Sequence, residues 1–396
     1  MSRREQKCFN CDSGVARAAP VEAERERRVT ETIDRRGLLI GLGGLAAAAT
    51  ACNSSAQPPA RKLGYAIVGL GYYATRVIIP QFANCRHSRL AALVSGDPDK
   101  ARRYAAEYGV PERSLYDYRS FDRIGDDPDV DIVYVVLPNS MHAEYTIRAA
   151  RAGKHVLCEK PMAVSVAECE AMIAACRAAG RTLMIGYRSH FEPHNLHAMK
   201  LAREGAIGRR RYVHAEHGFV AGDPGQWRLK KALAGGGSLM DMGIYSVQAA
   251  RYLTGEEPVA VTARASTDRS DPRFAEVEDL IAWTLDFPSG AISHGMSSYS
   301  SNHNRVRIAG DRGRIDMEPA TPYAGHSLRL VRDGGEQRLA PPPGPAVNQF
   351  VGQLDHMSES AASGGAPIVA GEEGLQDMRI IEAIYRSAAE GRTVRI

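Results

Sequence analysis

The residues best placed to do chemistry lie in three short stretches of a 396-residue chain. In HVLCEKPM, 155–162, an apolar run ends and sets Glu159 and Lys160 between Cys158 and Pro161. Charges at the mouth of a core strand are either solvated punctuation or chemistry, because open parallel sheets hold their ligands outside the carboxyl ends of their strands. In GGGSLMDMGIY, 235–245, Ser238 reads as an N-cap. That puts Asp241 and Tyr245 four apart on one helical face, with Gly243 allowing a close approach between them. The same residues would also suit an acid at a helix N-terminus and a half-buried core tyrosine. In GLGYYA, 69–74, the glycines permit a tight turn and let backbone N–H groups along Gly69, Leu70, Gly71, Tyr72 and Tyr73 approach a pyrophosphate at a helix N-terminus.

A dinucleotide beside an ammonium, an acid and a phenol suggests hydride transfer. Hydride leaves a carbinol carbon only as its hydroxyl proton is removed, so the site needs a base near neutral pH. A free tyrosine titrates near ~10, and an adjacent ammonium favours the phenolate. Lys160 would supply that charge and bond the developing alkoxide, while Asp241 would orient the substrate or Lys160. The proton could rest on Tyr245 or on Lys160.

The next strand bears on which dinucleotide binds. NAD enzymes usually end it with an acid about 20 residues on, whereas this chain has Val94-Ser95-Gly96. A hydroxyl at Ser95 and an ammonium at Lys100, backed by Arg102 or Arg103, can hold a 2′-phosphate, so NADP is expected. Asp97 argues against it, and the three basic residues would otherwise be a solvated helix face.

These residues need positioning elements. Leu63–Val68, Leu90–Val94, Asp131–Leu137, His155–Cys158 and Thr182–Tyr187 read as strands. Tyr73–Cys85, Pro98–Tyr108, Ala143–Ala152 and Ser165–Gly180 read as the helices between them. Such alternation predicts a parallel sheet with helices on both faces. After Tyr187 the rhythm breaks into a helix (His194–Arg203) and β-rich runs at Tyr212–Gly218, Val259–Ser266, Leu280–Phe287, Gly290–Ser298, Arg305–Ile308, Gly313–Met317 and Ser327–Val331, then helices at Val347–Ser360 and Glu372–Ala389. Short turns between consecutive strands imply an open antiparallel sheet. The fold class is therefore α/β: a Rossmann domain over 62–186, then an α+β substrate and oligomerisation domain over 187–396 with a large open, mostly antiparallel sheet.

Residues 1–61 differ in character. Arg35-Arg36-Gly37-Leu38-Leu39 leads into an uncharged Ala/Gly/Leu run over 40–50 that closes at Ala51-Cys52. The run is too short for the about 20 residues of a membrane span but suits a twin-arginine signal peptide, or else a plain linker. The expectation is export in folded form to the periplasm by the twin-arginine machinery, with a lipid anchor on Cys52 the lesser alternative. Of seven cysteines, Cys85, Cys158, Cys169 and Cys176 fall in apolar patterns and read as buried thiols. A net charge of +4, scattered along the chain, advertises no nucleic-acid face. The body of the chain has no metal-type Cys/His spacing, so no metal is expected.

Leu63–Ile396 resembles the Gfo/Idh/MocA sugar oxidoreductases, in particular their exported glucose-fructose branch. The matching stretches are GYAIVGLG (64–71), LVSGDPDKA (93–101), LPNSMHAE (137–144), GKHVLCEKPMA (153–163), IGYRSHF (185–191), QWRL (226–229), GGGSLMDMGIY (235–245), SHGMSSYS (293–300) and GEEGLQD (371–377). The resemblance implies that Lys160, Asp241 and Tyr245 are the catalytic group. It implies NADP contacts from Gly69–Tyr73, Ser95, Lys100, Leu137, Pro138, Asn139, His142, Glu159, Lys160, Tyr187, Arg188, Trp227 and Arg228. It implies a sugar pocket that includes Lys160, Tyr187, Asp241, Tyr245 and Tyr299. Tyr72 stands where close relatives carry lysine. A dimer or tetramer is implied too. With no free NADP pool in the periplasm, a retained cofactor would be reduced by an aldose such as glucose and reoxidised by a ketose such as fructose, or by a second aldose, in ping-pong turnover. An NADP-releasing dehydrogenase and a non-enzymatic sugar-binding protein are the remaining readings.

Overall fold

A computed structural model describes residues 61–341 and 348–396; the signal-peptide motif, Cys8, Cys11 and Cys52 lie outside them. The first sheet has six parallel strands: β1 (Leu63–Val68), β2 (Ser88–Val94), β3 (Leu115–Tyr116), β4 (Ile132–Val135), β5 (His155–Cys158) and β6 (Leu183–Ile185). Their order is β3-β2-β1-β4-β5-β6, and β1, β4 and β5 are buried almost throughout. A parallel strand covered by helices on both faces reads as an unbroken apolar run, as LGYAIV does. The connections include α1 (Pro98–Tyr108), α2 (His142–Arg151) and α3 (Val166–Ala178). The order reverses between β1 and β4, where an open α/β sheet opens a crevice at its carboxyl edge.

The segment expected as one helix over Tyr73–Cys85 is two pieces. A wide turn over Tyr73–Ile78 closes with the Ile79 N–H on the Ala74 carbonyl, and a tight 3₁₀ stretch, Ile79–Asn84, follows. Pro80 near the start of the second piece has no N–H to continue an α-helix.

Beyond α4 (Pro193–Arg203) lies a nine-stranded sheet. Its members are β7 (Arg210–Gly218), β8 (Ala260–Ser266), β9 (Leu280–Asp286), β10 (Ile292–Ser298), β11 (His303–Gly310), β12 (Arg314–Met317), β13 (Leu328–Arg332), β14 (Gly335–Leu339) and β15 (Val394–Arg395). The order is β14-β13-β12-β11-β7-β10-β9-β8-β15. All pairs are antiparallel except β7 with β10. The very short β3 and β15 and the exposed β14 carry too little apolar pattern to read from sequence. Helices α5 (Lys231–Ala234), α6 (Ile244–Thr254), α7 (Gln349–Ser363) and α8 (Gly371–Glu390) complete the chain.

Helix α7 does not stay with the second sheet. Its Phe350, Val351, Leu354 and Met357 share a core with Tyr65, Ile67 and Leu93 of the first, and the Tyr65 hydroxyl donates to the Leu354 carbonyl at 2.7 Å. Cys85, Cys158, Cys169 and Cys176 are buried free thiols. No helix among the described residues is long and apolar enough to cross a membrane.

Candidate active site

A cleft of about 800 Å³ runs from the β1 turn to the start of α6, within the size range of small-molecule sites. The glycine turn forms one end. Gly69 adopts φ +95°, and a Cβ there would stand 2.3 Å from the Val136 carbonyl oxygen, whereas Gly71 has open space around it. Only glycine fits the first position, and the second leaves room for a ligand against the backbone. Leu70, Tyr72 and Tyr73 line the same end, Tyr72 with 74% of its surface exposed.

Ser95, Asp97 and Lys100 follow along the wall. The Ser95 hydroxyl accepts the Asp97 N–H at 3.0 Å, which leaves its own proton free to donate. One Asp97 oxygen caps α1, accepting the Lys100 N–H at 3.0 Å. The acid that counted against NADP is thus engaged by its own helix. The expected back-up cations lie elsewhere: Arg102 pairs with Asp99, and Arg103 stacks on Tyr104. Lys100 alone of the three lines the cleft. Tyr118, which nothing in the sequence singled out, closes over this end; a Cβ on Gly96 would come within 3.0 Å of its ring. The donor set fits a phosphorylated ribose. Replacing Lys100 with alanine removes one charge-assisted contact. We expect Lys100→Ala to lower the preference for NADP over NAD about tenfold or more, read from competitive cofactor binding.

Leu137, Pro138, Asn139, Glu159, Trp227 and Arg228 line the middle. Asn139 is fixed by donating to the Ala234 carbonyl at 2.9 Å, and the Arg228 guanidinium lies over the Trp227 ring at 4.6 Å from its centroid. Glu159 is buried and accepts from the Tyr134 hydroxyl and, at 3.2 Å, from the Lys160 N–H. Burial raises its carboxyl, against those bonds and the nearby Lys160 ammonium.

At the far end the structure brings Lys160, Asp241 and Tyr245 together. Lys160 Nζ donates to the Asp241 carbonyl at 2.7 Å and to Oδ1 at 3.2 Å. It also sits 4.7 Å from the Tyr245 ring centroid. Arg228 Nε and the Tyr299 hydroxyl each donate to Asp241 Oδ2 at 3.1 Å. Burial pushes the Asp241 carboxyl up, but the Lys160 and Arg228 cations and these hydrogen bonds outweigh it and hold the group at about 2. Burial alone would lower Lys160; Tyr245, Asp241 and Glu159 facing it raise it instead. The cluster is therefore an ionised carboxylate between two permanent cations. Arg188 is the second cation on Tyr245, 5.1 Å from its ring, and is held by Gln349 Oε1 at 2.6 Å and the Thr321 carbonyl at 2.7 Å. Behind the phenol lies His217, its ring 5.5 Å away; burial and the two cations keep it neutral, at about 3.

The helix that presents Asp241 differs from the expectation. Ser238 stands at the N-cap position but has helical backbone angles and makes no side-chain capping bond; its hydroxyl meets Ser297 at 3.1 Å. The cap comes from Glu278, whose two oxygens accept the Gly237 and Leu239 N–H groups at 2.8 and 3.0 Å and the Tyr385 hydroxyl at 2.8 Å. Leu239–Gly243 is a wide π turn closed by the Ile244 N–H on the Leu239 carbonyl, a geometry frequent at functional sites. Gly243 serves the approach to β10, not that of Asp241 to Tyr245: a Cβ there would meet Ser297 Oγ at 2.9 Å.

Three expected contact residues do not line the cleft. His142 is buried, its ring nitrogens 2.9 Å from the Pro161 and Leu137 carbonyls, so it braces the turn after Lys160. Tyr187 is buried and faces Asp377, while its neighbours Gly186 and Arg188 line the wall. Tyr299 is 1% exposed and supports Asp241 from behind. Conversely, Phe219 and the loop residues Thr321, Pro322 and Tyr323 line the cleft without any sequence signal.

A glycine-turn crevice leading to a buried Lys–Asp–Tyr cluster defines a dinucleotide-dependent oxidoreductase. Residues 63–187 match the family model described as oxidoreductase family, NAD-binding Rossmann fold, and residues 195–316 match the GFO/IDH/MocA C-terminal domain. The chain belongs to the GFO/IDH/MocA oxidoreductase family. It is 31% identical over 339 residues to a D-xylose 1-dehydrogenase [NADP(+)] of Haloarcula marismortui, covering 84% of this chain and 92% of that protein. Among solved structures it is similar to an aldose-aldose oxidoreductase from Caulobacter crescentus complexed with glycerol, with 63% identity, a TM-score of 0.84, and coverage of 85% of this chain and 100% of that one. A 3-ketoreductase from Actinomadura kijaniata, in complex with NADP and TDP-benzene, aligns at 25% identity with a TM-score of 0.74, covering 83% of this chain and 98% of that one.

Proposed function

We propose that this chain is an NADP-dependent aldose oxidoreductase that oxidises one aldose at C1 to its lactone and reduces a second aldose to the alditol on one retained cofactor. The observation that carries the reading is the Lys160–Asp241–Tyr245 cluster at the end of the glycine-turn cleft. The 63% identity to a protein named for two aldoses supports the choice of substrates. The glucose–fructose pair expected from the motifs is the second reading.

The turn Gly69–Tyr73 would hold the pyrophosphate, Ser95 and Lys100 the 2′-phosphate, and Asn139, Glu159, Trp227 and Arg228 the remainder. Bound NADP supplies the hydride acceptor and, once reduced, the donor. Tyr245 takes the C1 hydroxyl proton as the C1–H bond gives up hydride and the C1=O bond of the lactone forms. Lys160 donates a hydrogen bond to the oxygen on which negative charge develops. Asp241, ionised and anchored by Arg228 and Tyr299, holds that ammonium in place. For the second aldose the steps reverse, and Tyr245 returns the proton to the carbonyl oxygen, so no outside oxidant is consumed.

The N-terminal Arg35-Arg36 motif supports a periplasmic setting in which the cofactor travels inside the folded protein, and the open second sheet supports a dimer or tetramer. Acid extraction of purified protein tests retention: we expect NADP in one-to-one ratio with the chain. A cofactor-free protein that turns over only with added NADP would instead be a releasing dehydrogenase.

A further inference from the structure

Away from the cleft, the start of α4 and the loop before β13 bring two histidines and a glutamate together. Glu192 Oε1 is 2.8 Å from His194 Nδ1 and 3.4 Å from His326 Nδ1. All three candidate ligand atoms lie within 4.8 Å of one another. Bonds of about 2.0–2.2 Å from nitrogen and oxygen to a tetrahedral ion put ligand atoms roughly 3.3 Å apart, so small side-chain adjustments would open the cluster to that size. The imidazoles are nearly parallel, 14° apart with centroids at 5.7 Å.

The surroundings fix the carboxylate. Glu192 Oε2 accepts both the Asn195 N–H and its side-chain amide at 2.7 Å, and that amide also donates to the Ala320 carbonyl at 3.0 Å. Such outer bonds orient a ligating carboxylate. Glu192 and His326 side chains are 4% and 6% exposed and His194 is 21% exposed, which leaves a water-accessible side for a fourth ligand. His326 Nε2 has no partner among the described residues, so the ring is committed to the cluster through Nδ1.

We propose that Glu192, His194 and His326 bind one divalent transition-metal ion of the zinc class. Two imidazoles and one carboxylate favour such an ion over magnesium or calcium, which prefer oxygen donors. The site is structural: it ties the 319–327 loop to α4, and this loop supplies Thr321, Pro322 and Tyr323 to the cleft and two carbonyls to Arg188. Cys/His spacing in the sequence does not point to this cluster, because His326 is far in sequence from Glu192 and His194.

Cobalt(II) titration of the metal-stripped full-length chain tests the site. We expect one equivalent bound with the visible d–d bands of a low-coordinate ion, displaced by one equivalent of zinc, and affinity lowered at least tenfold in both His326→Ala and His194→Ala, the second a rim substitution. Zinc should raise the unfolding temperature of the unsubstituted chain and of neither variant. Absence of saturable one-to-one binding overturns the proposal. So does binding that survives both substitutions, including a thiolate-to-cobalt charge-transfer band from cysteines elsewhere in the chain.

Discussion

Lys160→Ala should lower the rate of hydride transfer to the bound cofactor about a thousandfold or more while leaving cofactor content near that of the unsubstituted enzyme. Among the described residues the ammonium is the one group that touches Asp241 twice and also faces Tyr245. Removing a preorganised donor to a developing oxyanion costs about 10²–10³ in rate. Here the loss is larger, because among the described residues Asp241 keeps only Arg228 as a cation and the phenol keeps only Arg188. The pyrophosphate turn and Lys100 stand at the other end of the cleft, so binding should persist. Rapid mixing with an aldose reads the rate, and acid extraction reads the content. An unchanged rate would remove Lys160 from the chemistry.

Tyr245→Phe should cost about 10²–10⁴ in the same step, the usual range for a positioned proton-transfer group. The ring keeps its shape between Lys160, Arg188 and His217, so the substitution removes the hydroxyl and little packing. The measurement is kcat against KM for the aldose, and kcat should carry the loss. If KM rises with kcat unchanged, Tyr245 binds the sugar without moving its proton, and His217, neutral and behind it, would not replace it.

The parts of this fold that were legible in the sequence are those set by local apolar pattern. LGYAIV and HVLC are unbroken because both faces of their strands are covered, and both ends match the expectation residue for residue. GLGYYA could be placed because its turn needs a glycine with positive φ at Gly69. What escaped depends on contacts between polar residues far apart in sequence. Glu278 caps a helix that begins forty residues earlier, and no pattern around it announces this. Tyr323 reaches the cleft from a loop, and α7 crosses back to the first core through four apolar residues that any amphipathic helix could carry. Tyr187 followed Gly186 and preceded Arg188 in one motif, yet β6 ends at Ile185 and the chain turns tightly there, the Tyr187 N–H bonding the Ile185 carbonyl at 2.8 Å before a 3₁₀ stretch starts at Arg188, and only its neighbours line the cleft.

The central claim, that one retained NADP shuttles hydride between two aldoses at Lys160 and Tyr245, is tested most directly by single turnover without added cofactor. Mixing purified enzyme with a first aldose should reduce the bound NADP to about one equivalent per chain, seen as reduced-nicotinamide absorbance. A second aldose added after the first is removed should then abolish that absorbance and yield one equivalent of alditol. No absorbance change with any aldose until NADP is supplied from outside would contradict the account.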